Sequence, residues 1–177
     1  TPVQLGVALC TLAWYVRDRA PQRATQLTAQ ALALPLSAAA SVRARLAEAW
    51  ACGLLDQADA SRAALDRAEQ DAASLADHGL LGDLHLVAAV TARLQLDGAA
   101  ESARLALAHA AYLRSGEGPA GHRMQLTEAM MARSEALRGG EFDARWQQVF
   151  PPDQVPEHRD VAAHVLYCHA ARVFASG

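Results

Sequence analysis

The chain reads as helical segments that pair off through tight turns, and the pairs recur about every 37 to 42 residues. A repeat of that length constrains the fold more than any other feature, because one helical hairpin cannot bury both of its faces and must stack on its neighbours. Apolar periodicity and breakers mark nine segments. They are Val3 to Arg17, Pro21 to Leu34, Ser41 to Leu55, Gln57 to Asp77, Leu80 to Leu96, Ala99 to Ser115, Ala120 to Arg138, Glu141 to Phe150 and Glu157 to Ala175. Pro21 falls at a helix start, where its missing N–H does no harm, Pro35 stops the second segment, and a turn near Asp56 separates the third from the fourth. His78-Gly79 reads as the exit from the fourth, Asp97-Gly98 as the next turn, and Gly116-Glu117-Gly118-Pro119 and Gly139-Gly140 as further breaks. Pro151, Pro152 and Pro156 force an irregular link before the last segment.

The second member of each pair repeats a small-large-small pattern: Ala24, Leu27, Ala31; then Ser61, Leu65, Ala68; then Ala103, Leu107, Ala110. Small residues three to four apart let a neighbouring helix approach closely while the leucine fills the gap. The predicted fold is all-α, a right-handed superhelix of antiparallel helix hairpins with a concave inner surface and about nine helices. It forms one domain over residues 1–177, with repeats near 1–36, 37–78, 79–118 and 119–152 and an unpaired helix at 157–175. That unpaired helix, and a start at Thr1 rather than Met, suggest a fragment of a larger protein. An exposed apolar face on the last helix would let two fragments dimerise.

Composition agrees with helix and narrows the partners. There are 42 Ala, 24 Leu and 16 Arg, with no Lys, Asn or Ile, and aromatic residues make up only 5%. Strand-favouring residues are thin, so sheet is not expected. A formal charge of -3 provides no basic field for a phosphate backbone, which disfavours nucleic acid as a partner. The most hydrophobic stretches, Ala31 to Leu36 and Leu84 to Val90, are far shorter than the roughly 20 residues a membrane span requires. Cys10, Cys52 and Cys168 are odd in number, show no CxxC spacing and sit in apolar stretches, so they read as buried free thiols of a reducing, cytoplasmic compartment.

With its small-large-small signature, Tyr15 near the end of the first helix and the helix-ending Pro35, the chain resembles the tetratricopeptide (TPR) repeat family. It departs from that family at Leu12, where the first helix usually carries glycine, and in its longer repeats; the fourth pair has Ala144 or Arg145 at the small position. A second resemblance covers nearly the whole chain. Leu12-Ala13-Trp14-Tyr15-Val16-Arg17-Asp18-Arg19 with Gln22-Arg23-Ala24, Ala47-Glu48-Ala49-Trp50, Gly82-Asp83-Leu84-His85-Leu86 and Ala144-Arg145-Trp146-Gln147-Gln148-Val149-Phe150 look like the TPR-like N-terminal region of proteobacterial GGDEF diguanylate cyclases. The resemblance implies a sensory region that precedes a catalytic domain; the chain itself holds no catalytic domain.

Several constellations invite chemistry and fall short of it. Gly139-Gly140-Glu141-Phe142 looks like the cyclase signature but is one residue short and lies where a helix-to-helix turn belongs. Among the seven histidines, only His164-x-x-x-Cys168, with His169 beside it, has metal-like spacing on one helix face, and no further ligand is near in sequence. Gly116 to Gly121 lacks the strand, Lys and Ser or Thr of a phosphate loop, and Ser115 and Ser134 lack a nucleophile elbow. No metal, cofactor or catalytic residue is assigned. Trp14, Trp50 and Trp146 can serve packing or a ligand cage, and Met124, Met130 and Met131 can serve packing or an adaptable surface.

In TPR arrays the first helix of each pair lines the groove. Placing this chain on that pattern points to Leu9, Arg17, Arg45, His85, Gln95, Met130 and Ser134 as groove residues, with Arg17 and Arg45 as carboxylate partners. The expected function is a non-enzymatic interaction or sensory module. It binds a protein or peptide segment or a small ligand, or dimerises, and regulates an attached diguanylate cyclase output domain. Alternatives from the same residues are the regulatory region of a helix-turn-helix transcription activator, a free-standing adaptor, a helical metalloenzyme using the histidines, and an RNA-binding solenoid, which the acidic balance weakens.

Overall fold

The computed structural model describes residues 1–137, 150–151 and 156–175. Among these residues every regular element is a helix: α1 (Pro2–Val16), α2 (Pro21–Leu32), α3 (Ala38–Leu54), α4 (Ala58–Ala72), α5 (His78–Leu94), α6 (Gly98–Arg114), α7 (His122–Leu137) and α8 (Arg159–Ala175). The expected helix from Glu141 to Phe150, apart from Phe150, lies outside the described residues, as do Gly139-Gly140 and Trp146.

Capping chemistry sets the boundaries. Thr1 and Gln4 form a capping box on α1, and Pro2 and Pro21 occupy first turns, where no N–H is needed. The Ser37 hydroxyl accepts from Ala40 N–H at 3.3 Å, so α3 begins earlier than Ser41, the start the sequence pattern suggested. Asp77 accepts from Leu80 N–H at 2.9 Å and opens α5. His78-Gly79 therefore starts a helix rather than ending one, because the carboxylate cap outweighs the exit signal of the glycine, and α4 stops at Ala72. Asp97 caps α6 in the same way, at 2.9 Å from Ala100 N–H.

At the other ends, α3, α5 and α6 close with the same motif. Gln57 N–H donates to Cys52 C=O and Asp56 N–H to Gly53 C=O; Asp97 and Leu96 repeat this with Ala92 and Arg93, and Glu117 and Gly116 with Tyr112 and Leu113. The left-handed residue is Asp56 (φ 59°), Leu96 (φ 60°) or Gly116 (φ 83°). Equivalent residues of the second and third units thus lie 40 residues apart, within the span expected from sequence.

Three hairpins follow in series, α1 on α2, α3 on α4 and α5 on α6. Each seats on the next element through its second helix, α2 against α3, α4 against α5 and α6 against α7, while α1 meets α3 and α3 meets α5; α8 packs on α7. One large core cluster joins α3, α4 and α5 around Leu46, Leu65, Leu80 and Leu84, and another joins α5 to α8 with Phe150 around Leu105, Tyr112, Met124, Met130 and Val161. Each such buried side chain contributes about 1.5–3 kcal/mol relative to exposure.

The small-large-small pattern is buried as expected on α2 (Ala24, Leu27, Ala31) and α4 (Ser61, Leu65, Ala68). On α6 the pattern is corrected by two residues. The buried set is Glu101, Leu105, Ala108, Ala111 and Tyr112, whereas Ala103 is exposed and Leu107 is 47% exposed. Two residues rotate a helix by about 200°, so a shift of two exchanges the faces. The disguise was Glu101, only 5% exposed, standing where α4 has Ser61. Aligning α3–α4 with α5–α6 at 40 residues also places Gly82 where α3 has Val42 and Tyr112 where α4 has Ala72. A Cβ on Gly82 would lie 2.2 Å from the Tyr112 ring.

Candidate functional site

The first helices of successive hairpins enclose one side of a cavity of about 500 Å³. Helix α1 and the residue after it contribute Val7, Cys10, Thr11, Trp14, Tyr15 and Arg17; α3 contributes Ala40, Arg43, Leu46 and Trp50; α5 contributes Asp83 and Leu86. Glu117, then His122, Arg123 and Leu126 of α7, and Asp160 of α8 complete the wall, and α2, α4 and α6 add nothing to it. Two rows run across this wall at the 40-residue spacing: Arg43, Asp83, Arg123 and, one turn on, Leu46, Leu86, Leu126. The leucines are buried side chains whose surfaces form the floor.

At one end, Trp14 and Trp50 meet edge to face with centroids 6.3 Å apart. The Arg17 guanidinium lies 3.8 Å from the Trp14 centroid and 4.5 Å from that of Trp50, and it donates to the Trp14 carbonyl. Trp50 Nε1 donates to Asp18 Oδ1 at 2.8 Å, and that carboxylate stands 3.7 Å from Arg17. Burial works against the charge of Arg17 and pushes its pKa down, with Asp18, Asp160 and Asp83 offsetting part of the cost. Trp14 and Trp50 pack on the core and also face the cavity.

In the middle, Tyr112 reaches from α6 to donate to Asp83 Oδ1 at 2.9 Å, and Arg123 Nη1 donates to the same carboxylate at 3.3 and 3.4 Å. Arg123 Nε pairs with Glu117 Oε2 at 2.8 Å. Burial pushes the Asp83 carboxyl up, against the pull of Arg123 and Tyr112; burial also opposes the charge of Arg123, but Asp83 and Glu117 outweigh it and raise that pKa. Burial and the Asp83 carboxylate push the Tyr112 phenol up, so it stays a donor. At the far end His122 Nε2 lies 2.9 Å from Asp160, with the His158 ring tilted against it at a centroid distance of 4.2 Å. Burial favours a protonated Asp160, but its bonds to His122 and to backbone N–H hold its pKa down.

Of the seven residues singled out from sequence, the cavity takes in Arg17. Leu9 turns inward against core residues of α2 and α3. Arg45 pairs with Asp71 of α4 at 3.0 Å, and His85 lies 3.3 Å from Arg104 of α6, which in turn pairs with Glu69. Gln95 is the C-cap at the α5–α6 turn. Met130 is 1% exposed in the core, and Ser134 is buried 3.1 Å from the Ser102 hydroxyl. Arg45 and His85 each lie two residues past a lining residue, Arg43 and Asp83, and so face the second helix of their own hairpin. The signal that finds the row is the 40-residue spacing of 43, 83 and 123.

The remaining sequence candidates resolve into packing. Met124 and Met130 fill the core with Met131 against them, and all three cysteines are buried and unpaired. His164 is half-buried near Arg93 and Arg133, and desolvation with those two charges pushes its pKa down to about 4. Among the described residues no group of three or more His, Cys, Asp or Glu is arranged to hold a metal ion, and no helix is long and apolar enough to cross a membrane. Comparison with protein-family models, curated proteins and solved structures finds no match.

Proposed function

We propose that this chain is a non-catalytic, TPR-like interaction and sensory module, whose hairpins form a superhelix with the cavity as its concave groove. The carrying observation is the repetition of the lining: one helical face, taken from α3, α5 and α7 in turn, presents Arg43, Asp83, Arg123 over Leu46, Leu86, Leu126. A wall built from one position per repeat changes shape when the hairpins rotate on one another, so an occupant that touches α1, α3, α5 and α7 together favours one curvature of the array. The residues that resemble the N-terminal regions of GGDEF proteins supply the second half of the reading, in which that curvature is passed to an attached diguanylate cyclase.

The test uses the natural gene product that carries this segment. Thr11 is exposed on the cavity wall, so Thr11→Trp fills the cavity without entering the core. Cyclic dinucleotide synthesis is expected to change severalfold between wild type and Thr11→Trp at equal thermal stability. Identical synthesis in both proteins overturns the reading.

A further inference from the structure

The charges and hydrogen-bonding groups of the cavity narrow its occupant. Three carboxylates face it and each is engaged inside the protein: Asp83 by Tyr112 and Arg123, Glu117 by Arg123, and Asp160 by His122 and the Val161 N–H. Arg123 is thereby neutralised. Arg17 and Arg43 are not engaged in the same way. Arg17 has its nearest carboxylate at 3.7 Å, on a group already taken by Trp50, and its buried Nε has no hydrogen-bond partner. Arg43 is exposed and forms no ion pair among the described residues. Beside the neutral Tyr15 phenol and Trp14 indole N–H, the donors left over are the two guanidinium groups, which lie on the α1–α3 side with an apolar floor of Cys10, Leu46 and Leu86.

A peptide laid across such a wall would bring its own N–H and C=O groups, each of which needs a partner once water is displaced. The lining offers little for that. It contains no Asn, Gln or Ser, its one Thr, Thr11, already donates to the Val7 carbonyl at 3.0 Å, and the Tyr15 phenol and Trp14 indole N–H are too few to serve a peptide backbone. A ligand with a single anionic head and an otherwise apolar body leaves no such group unpaired, and about 500 Å³ is in the range of small-molecule sites.

We propose that the cavity binds a free amphipathic carboxylate of medium chain length, its head on Arg43 beside Arg17 and its apolar tail along the Leu46–Leu86–Leu126 floor. This rests on the reading of the cavity as the module's groove and names the class of ligand it senses.

The probe is 2-bromoundecanoate below its micelle concentration, read by bromine quenching of tryptophan fluorescence, since its bromine sits next to the head, at the end of the cavity where Trp14 and Trp50 flank Arg17. Saturable quenching is expected. The matching alcohol, 2-bromoundecan-1-ol, and the variant Arg43→Gln are each expected to bind at least tenfold more weakly. Competition by unbrominated acids is expected to strengthen about threefold to fourfold per methylene from octanoate to undecanoate. Thr11→Trp, which narrows the cavity, is expected to abolish the competition. Equal affinity for acid and alcohol, an unchanged affinity in Arg43→Gln, or absence of saturable quenching overturns the proposal. So does a hydrophobic tripeptide with a free C-terminus that displaces the probe better than undecanoate does. If the acid fails to bind while Thr11→Trp still changes the output of the natural protein, only the ligand class is lost; if both fail, the module reading goes with it.

Discussion

The second hairpin, α3–α4, and the third, α5–α6, share their helix starts, their left-handed closing residues and their buried positions at a spacing of 40 residues, yet they solve the same packing problem with different side chains. Where the second pairs Val42 with Ala72, the third pairs Gly82 with Tyr112. Moving the volume from the first helix to the second has a chemical consequence. The phenol now crosses the hairpin and puts a hydroxyl against Asp83, which fixes a half-buried carboxylate at the position where the second hairpin presents the exposed Arg43. One backbone thus yields a cationic contact point in one unit and a closed polar network in the next.

The sharpest way to break this comparison is to exchange the pairs. Gly82→Val forces its side chain into the Tyr112 ring and is expected to cost about 3 kcal/mol or more. Tyr112→Ala leaves a large void and is expected to cost about 3–5 kcal/mol. The double variant recreates the Val–Ala pair of the second hairpin, so denaturant midpoints should show the two losses falling short of additive by about 2 kcal/mol or more. Additive losses would mean that the two positions do not exchange volume.

Charge separates the hairpins as well. Arg45 of the second has Asp71 as its partner, whereas the equivalent residue of the third, His85, faces Arg104; burial first, and then that guanidinium, hold its pKa down. His164 of α8, beside Arg93 of α5, is held at about 4. Because these folded-state values lie below the unfolded one near 6.5, the unfolded chain takes up protons first as pH falls. The stability is therefore present above about pH 6.5 and is lost between there and about pH 4, with His164 contributing about 3 kcal/mol. Hydrogen exchange should show α5–α8 losing protection before α3–α4 over this range, and His164→Gln should flatten most of the slope. Equal loss in all helices would sink the assignment.

At the row position itself the same kind of change should act differently. Asp83→Asn weakens the contacts with Tyr112 and Arg123 and is expected to cost about 1–2 kcal/mol. Arg43→Ala removes an exposed side chain with no partner among the described residues and is expected to stay within about 0.5 kcal/mol of wild type. Thermal unfolding of both variants reads the contrast.

The helices and their pairing were legible because they depend on local chemistry: apolar period, proline starts and glycine breaks. Helix phase was less legible. A buried acid at Glu101 hid the register of α6, and the choice of Arg45 and His85 over Arg43 and Asp83 turned on two residues, or about 200° of rotation. Burial is settled by what a neighbouring helix presents, and Tyr112 over Gly82 is a tertiary fact that no window of one helix contains. The start of α5 at His78 differs from the sequence pattern for a smaller reason, because Asp77, placed at the end of the fourth segment, instead caps the next helix.

The closing turns give the finest comparison, because there the backbone is held constant and only one side chain differs. Asp56 and Leu96 take the same left-handed conformation, at φ 59° and 60°. Aspartate tolerates that region through its short polar side chain, whereas leucine has no such compensation and its Cβ crowds the following carbonyl. Leu96 is also 92% exposed, so truncating it forfeits little packing. Leu96→Gly is therefore expected to stabilise the protein by about 1 kcal/mol, and Asp56→Gly by less, about 0.5 kcal/mol. Chemical denaturation with equal m-values would check the pair. A gain at Asp56 as large as that at Leu96 would show that the side chain's polarity does not ease the left-handed turn, and a loss at Leu96 would show that its exposed side chain packs on something the turn alone does not reveal.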